Sequence, residues 1–151
     1  DLLVRLIGDF DKEILNNNDL KPIESKVKFE KYLNKSKLDV EMSKARVLIL
    51  SSVNLESVNN IIPGKLFYYF SFKRPIIAFS KLNSDVSDLI NKTNSGLVFD
   101  YSNEVDLKNY ILELYSNYKL KKNNFKPKDL ASFSYENLSE KLDGLLNKTI
   151  N

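Results

Sequence analysis

Short apolar runs alternate with longer stretches of helical spacing along the whole chain. Leu2–Ile7 reads as a strand, and Gly8 then permits a tight turn. Phe10, Ile14 and Leu15 start a short helix. Lys26–Leu33 reads as a second strand with Val27 and Phe29 on one face, and Leu38, Met42 and Ala45 follow at helical spacing. Val47–Leu50 is a continuous apolar run, the pattern of a strand covered on both faces. Gly64–Lys73 is a helix after a loop that ends in Pro63. Pro75–Phe79 is the next buried strand, with proline tolerated at its first residue. Val86, Leu89 and Ile90 mark a helix that Asn94-Ser95-Gly96 ends, and Leu97–Tyr101 is a fifth strand. Leu107, Ile111, Leu114 and Tyr118 form one stripe, with Ser102 or Asn103 as N-cap. Lys119, Lys121 and Lys122 end that helix and read as a solvated helix end that suits its dipole. After a Pro-containing linker at Phe125–Phe133, Ser134 caps a helical tail of about residues 134–149, whose face is Leu138, Leu142, Leu145 and Leu146.

Regular alternation of strand and helix predicts an α/β fold: a Rossmann-like parallel sheet with right-handed crossovers and helices on both faces. Ligands of such sheets bind beyond the carboxyl ends of the strands. The residues to watch therefore follow strands: Gly8-Asp9, Leu33-Asn34, Ser51–Lys65, Ser80–Ser84 and Tyr101-Ser102.

The length, 151 residues, suits a single domain. The chain opens directly on an apolar run at Asp1-Leu2-Leu3-Val4 and reads as a piece of a longer protein. It contains no cysteine and no histidine, which excludes disulfides, thiolate metal sites and every Ser-His or Cys-His arrangement. Acid–base chemistry would have to rest on Asp, Glu, Lys or Tyr. A net charge of +3 is too small to argue for nucleic acid or a membrane surface. No apolar run approaches the ~18 residues of a membrane span. A lone Gly8 is no dinucleotide fingerprint, and no phosphate-binding P-loop motif occurs. Asp9-Phe10-Asp11 has the spacing of a metal-binding Asp-x-Asp motif, but such spacing arises often by chance in an acidic loop, and Asp9 reads rather as a helix N-cap.

The most informative stretch runs from Ile61 through Pro63-Gly64-Lys65-Leu66-Phe67-Tyr68-Tyr69 to Pro75-Ile76-Ile77-Ala78. Pro-Gly opens a helix after a loop leaving a central strand, which would aim free N–H groups and the positive dipole end at the ligand edge. Lys65 in the first turn opposes the dipole, which makes sense where a phosphate neutralises both; the alternative is a surface lysine on a plain helix. This run resembles the signature of GT-B fold glycosyltransferases, especially the large retaining group that builds capsules and other surface glycans. The likeness extends over nearly the whole chain. Val4-Arg5-Leu6-Ile7-Gly8, Val27–Leu33, the passage from Ser43 to Leu50, Asn94-Ser95-Gly96-Leu97-Val98 and Phe133-Ser134 with the last helix match the family's C-terminal half in order and spacing.

The resemblance implies the donor-nucleotide-binding, C-terminal half of a two-domain enzyme whose N-terminal half is absent here. The intact enzyme would move a sugar from a UDP- or GDP-linked donor to an acceptor glycan or lipid-linked glycan held by the other half, in capsule or surface polysaccharide synthesis. The isolated domain would be inactive. Neither a cofactor nor a metal is implied, and no nucleic-acid partner. The expected place is the cytoplasm, with room for peripheral association of the full-length protein with the inner face of the membrane. By the same resemblance the donor-binding residues are Gly8, Tyr32, Asn60, Gly64, Lys65, Leu66 and Tyr68: Gly64 and Lys65 hold the phosphates, Tyr68 meets the ribose, backbone near Tyr32 meets the base, and Gly8 lets the first loop approach closely. Two positions depart from the family. Tyr68 stands where a ribose-binding Glu is usual, and Asn60 stands where many members have a second acidic residue. A phenol is neutral at pH 7 and cannot accept two donors as a carboxylate does. These departures favour the alternative, a non-catalytic nucleotide-binding or scaffold domain of the same fold. A sugar-nucleotide epimerase fits less well, since such enzymes rely on His and acidic residues.

Overall fold

The structure is a computed structural model and describes residues 2–52 and 61–150. The chain divides into two compact units, residues 1–44 and 45–151. The α/β class is as expected, with parallel strands flanked by helices. The strands are divided between two small sheets rather than one, because each unit closes its own hydrogen-bonded ladder.

In the first unit, β1 (Val4–Ile7) pairs in parallel with β2 (Val27–Glu30), from Val4 opposite Val27 to Ile7 opposite Glu30. The connection holds the single-turn helix α1 (Lys12–Leu15) and a 3-10 helix at Asn18–Lys26. Asp11, not Asp9, occupies the position before α1, and its carbonyl accepts the Leu15 N–H at 3.2 Å. The local reason is register: the first helical bond must close four residues on, and Leu15 is the helix's last residue. Helix α2 (Lys35–Lys44) follows β2, capped by Asn34, whose side-chain oxygen accepts from the Lys37 N–H at 3.1 Å. Phe10 packs edge-on against Phe29, centroids 5.1 Å apart, and pins the loop after β1 to the sheet. Met42 is the buried apolar side chain among the unit's described residues.

The second unit has the sheet order β3 (Leu48–Ser51), β4 (Ile76–Phe79), β5 (Gly96–Phe99), all parallel. Helix α3 (Gly64–Phe70) lies between β3 and β4 in sequence, and α4 (Asp85–Thr93) between β4 and β5. The central strand β4 is apolar throughout and almost wholly buried, as its position between two neighbours requires. Strand β3 alternates instead: Leu48 and Leu50 are buried while Ile49 is 43% exposed, so the expectation of a strand covered on both faces fails there. Within this sheet it is an edge strand, paired with β4 alone among the described residues, and its apolar run conceals a one-sided pattern.

Ser84 caps α4 by accepting the Ser87 N–H at 3.3 Å, and Val86, Leu89, Ile90 and Thr93 turn inward. Asn94 ends the helix in the left-handed conformation, φ 46°, which an asparagine tolerates. Helix α5 (Glu104–Lys119) starts at Asn103, whose side chain accepts the Asp106 N–H at 3.3 Å. The chain then returns beneath α4: the Lys128 N–H bonds the Thr93 carbonyl at 2.7 Å and the Asn94 amide bonds the Lys126 carbonyl at 2.9 Å. A 3-10 turn at Leu130–Phe133 sets Phe133 against Phe67 and Phe70 of α3. Helix α6 (Tyr135–Ile150) begins where expected, with the Asn137 N–H on Ser134 Oγ at 3.3 Å. Its stripe of Leu138, Leu142, Leu145 and Leu146 is 44–62% exposed.

Candidate functional site

Parallel strands bring their carboxyl ends to one edge of each sheet, and residues just beyond them form the natural ligand edge. In the second unit that edge is built from hydroxyls. Ser52 Oγ donates to Ser80 Oγ at 3.0 Å, Ser80 and Ser84 hydroxyls lie 3.1 Å apart, and Ser84 Oγ donates to the Lys81 carbonyl at 2.7 Å. Ser80 and Ser84 are buried, so the chain of bonds satisfies groups that water cannot reach. Tyr101, just past β5, closes the edge from the other side. Its hydroxyl bonds the Ser52 carbonyl, sits 3.3 Å from the Phe79 carbonyl and 3.4 Å from Ser51 Oγ, and its ring stacks on Phe79. Tyr101 thus ties the ends of β3, β4 and β5 together.

Four of the site residues expected from sequence lie on α3. Gly64 and Lys65, in its first turn, are exposed. Leu66 is fully buried and its N–H already donates to the Pro63 carbonyl at 2.9 Å, so its side chain belongs to the core. Tyr68 is half-buried with its ring edge-on to Phe72, centroids 5.1 Å apart. Residues three and four apart share a helix face. Lys65 and Tyr68 therefore stand on one face, while Leu66 and Phe70 form the buried one. Between them Tyr69 sends its hydroxyl to the Ile49 carbonyl at 3.2 Å, and burial raises its phenol pKa. Asn60 lies outside the described residues.

Gly8 and Tyr32 belong to the first unit. Gly8 directly follows β1, and its N–H extends the ladder to the Glu30 carbonyl at 3.0 Å. Its φ of +153° is one that L side chains rarely adopt, and no atom lies within 4 Å of where a Cβ would stand. The space a close ligand approach needs is open there. Tyr32, two residues past β2, is 72% exposed. Among the described residues no cluster of three or more acidic side chains could hold a metal, Asp9 and Asp11 included. No helix of the described residues is long and apolar enough to cross a membrane.

Sequence reasoning missed the Ser52–Ser80–Ser84 chain and the Tyr101 clamp. Their signal was present, since small hydroxyl residues recur directly after β3 and β4 and a tyrosine follows β5. Only the sheet order shows that these three strand ends are neighbours. Comparison with known proteins finds no family model and no curated sequence that matches this chain.

Proposed function

We propose that this chain is the donor-binding half of a glycosyltransferase, holding a UDP- or GDP-linked sugar for transfer to an acceptor glycan in capsule or surface polysaccharide synthesis. The observation that carries the reading is how the Pro63–Ala78 signature folds. It runs as loop, helix and central parallel strand, with Lys65 and Tyr68 on one face of α3 and Leu66 and Phe70 in the core. A sugar transfer of this kind needs little side-chain chemistry. It needs the donor positioned and the leaving diphosphate stabilised, for which a lysine and backbone N–H groups suffice. Gly64 and Lys65 take the phosphates and Tyr68 the ribose. The second reading, a binding or scaffold domain without turnover, is favoured by one observation: the phenol of Tyr68, packed on Phe72, replaces the carboxylate that would accept both ribose hydroxyls.

Calorimetric titration with UDP and GDP, paired with thermal melts, tests the proposal. Wild type binds one of them saturably. Lys65→Ala weakens binding by about 1–3 kcal/mol, the worth of a charge-assisted bond, and leaves the free protein as stable or up to ~0.5 kcal/mol more stable, because the clash with the helix dipole is relieved. Tyr68→Glu tightens binding by about 1.5–3 kcal/mol. A destabilised Lys65→Ala with unchanged affinity, or no saturable binding by wild type and Tyr68→Glu alike, sinks the donor site.

A further inference from the structure

The amino edge of the second unit's sheet, opposite the carboxyl edge described above, carries a dense run of basic residues. Helix α4 joins the parallel strands β4 and β5 and so must run back along them, which brings its end to the edge where the strands begin. Arg46 precedes β3 and lies over the ring of Tyr118 near the end of α5, 5.0 Å from its centroid, which fixes that neighbourhood. Lys92 ends α4, and the segment at Lys126–Lys128 is bonded to the same helix end through Thr93 and Asn94. Lys73 sits in the turn before β4.

The centre of the patch is the stretch 119–128, with five lysines in ten residues and no acidic residue anywhere from 114 to 128. All five are exposed, as are Arg46, Lys73 and Lys92. None of these eight cations is in a salt bridge among the described residues. Helix-dipole complementation accounts for Lys92 and Lys119 at helix ends, but not for Lys121, Lys122, Lys126 and Lys128, which lie beyond α5. The opposite edge carries acidic first turns instead, Asp85 and Asp88 on α4 and Glu104 and Asp106 on α5.

We propose that this amino edge docks on an anionic lipid surface, with the lysines of 119–128 at the headgroups and Leu120 inserted between them. Leu120 is 60% exposed in the middle of the lysine run, where an apolar side chain can enter the headgroup boundary. Clusters of four to eight basic residues are the electrostatic signature of anionic-leaflet binding. Nucleic acid fits less well, because single strands are held by open aromatic faces. Here Arg46 covers Tyr118, and the Lys119 ammonium lies 5.3 Å from the Tyr115 centroid. The inference stands apart from the donor site and does not depend on it.

Co-sedimentation of the chain with phosphatidylcholine vesicles, with and without a phosphatidylglycerol fraction, tests it. The protein sediments with the anionic vesicles only. Each lysine at such a surface strengthens binding about fivefold, so Lys121→Gln/Lys122→Gln lowers partitioning ~25-fold and Lys126→Gln/Lys128→Gln does the same. Leu120→Ser lowers it further at raised salt, where the electrostatic part is screened. Lys141→Gln/Lys148→Gln on α6, an equal loss of charge elsewhere, changes nothing. Failure to bind anionic vesicles overturns the proposal, as does equal binding to both kinds. So does loss in the α6 variant in place of the amino-edge variants, and so does polyuridylate that binds the same lysines and strips the protein from vesicles.

Discussion

Gly96 illustrates how one residue carries two meanings. Read along the chain, Asn94-Ser95-Gly96 is a helix stop. In the fold Asn94 alone takes the left-handed cap, and Gly96 is already in β5, opposite Ile76. A Cβ at Gly96 would stand 1.9 Å from the Ile76 carbonyl oxygen and 2.7 Å from its nitrogen and carbonyl carbon. These are backbone atoms of the central strand, which cannot swing aside as a side chain can. Gly96→Ala is therefore expected to cost about 3 kcal/mol or more, read as a lower urea midpoint. Gly64→Ala is the contrast, since nothing lies within 4 Å of its added methyl. A Gly96→Ala midpoint equal to wild type would mean that β4 and β5 are not in this register.

At the scale of elements, β1, β2 and α2 are joined less by a core than by an ion network. Arg5 grips Glu30 with two parallel bonds, Nε to Oε1 at 2.7 Å and Nη2 to Oε2 at 2.9 Å, and also bonds Glu41 of α2. Lys28 and Lys44 stand outside the two carboxylates, at 3.5 and 2.8 Å. The bidentate Arg5 bond, helped by Lys28, lowers the Glu30 carboxyl from 4.5 to about 2. Bonds from Lys44 and then Arg5 lower Glu41 as well. A carboxyl lowered on folding binds fewer protons folded than unfolded, so its contribution is full above the unfolded value and disappears as pH falls through the folded one. Stability should thus decline with acid between roughly pH 4.5 and 2. Urea midpoints measured across that range in wild type and Glu30→Gln check this. The variant starts lower and falls less steeply, whereas parallel curves would mean that the pairing is not made in solution.

For the whole molecule, charge is arranged by topology more than by composition. Parallel strands with returning helices sort strand ends into two edges, and the second unit gathers a run of lysines at its amino edge. The proposed function sets a further expectation at this scale. Residues 1–151 alone should transfer no sugar, since the resemblance assigns the acceptor and most catalytic groups to the other half of such enzymes. The check is release of UDP or GDP from nucleotide sugars in the presence of glycan acceptors. Turnover by this chain alone would contradict the two-half reading, while binding without turnover agrees with it.

Local periodicity was enough to place the five strands of the described residues and their main helices within a few residues. Strand runs, caps such as Asn103 and Ser134, and the stop at Asn94 all act through neighbours in sequence, so they are legible there. That α3 starts at Gly64 was legible in the same way, from Pro63-Gly64 at the end of a loop; the burial of Leu66 was not, since it depends on packing. Pairing across distance was not. Which strands share a ladder, and that β3 is an edge with Ile49 half in solvent, depend on hydrogen bonds between segments far apart in the chain. The Tyr101 clamp joins residues 49 and 22 positions away, and no periodicity encodes such a contact. The basic amino edge arose in the same way. In sequence Lys119, Lys121 and Lys122 look like one solvated helix end, and only the parallel crossovers bring Arg46, Lys73, Lys92, Lys126 and Lys128 to the same edge.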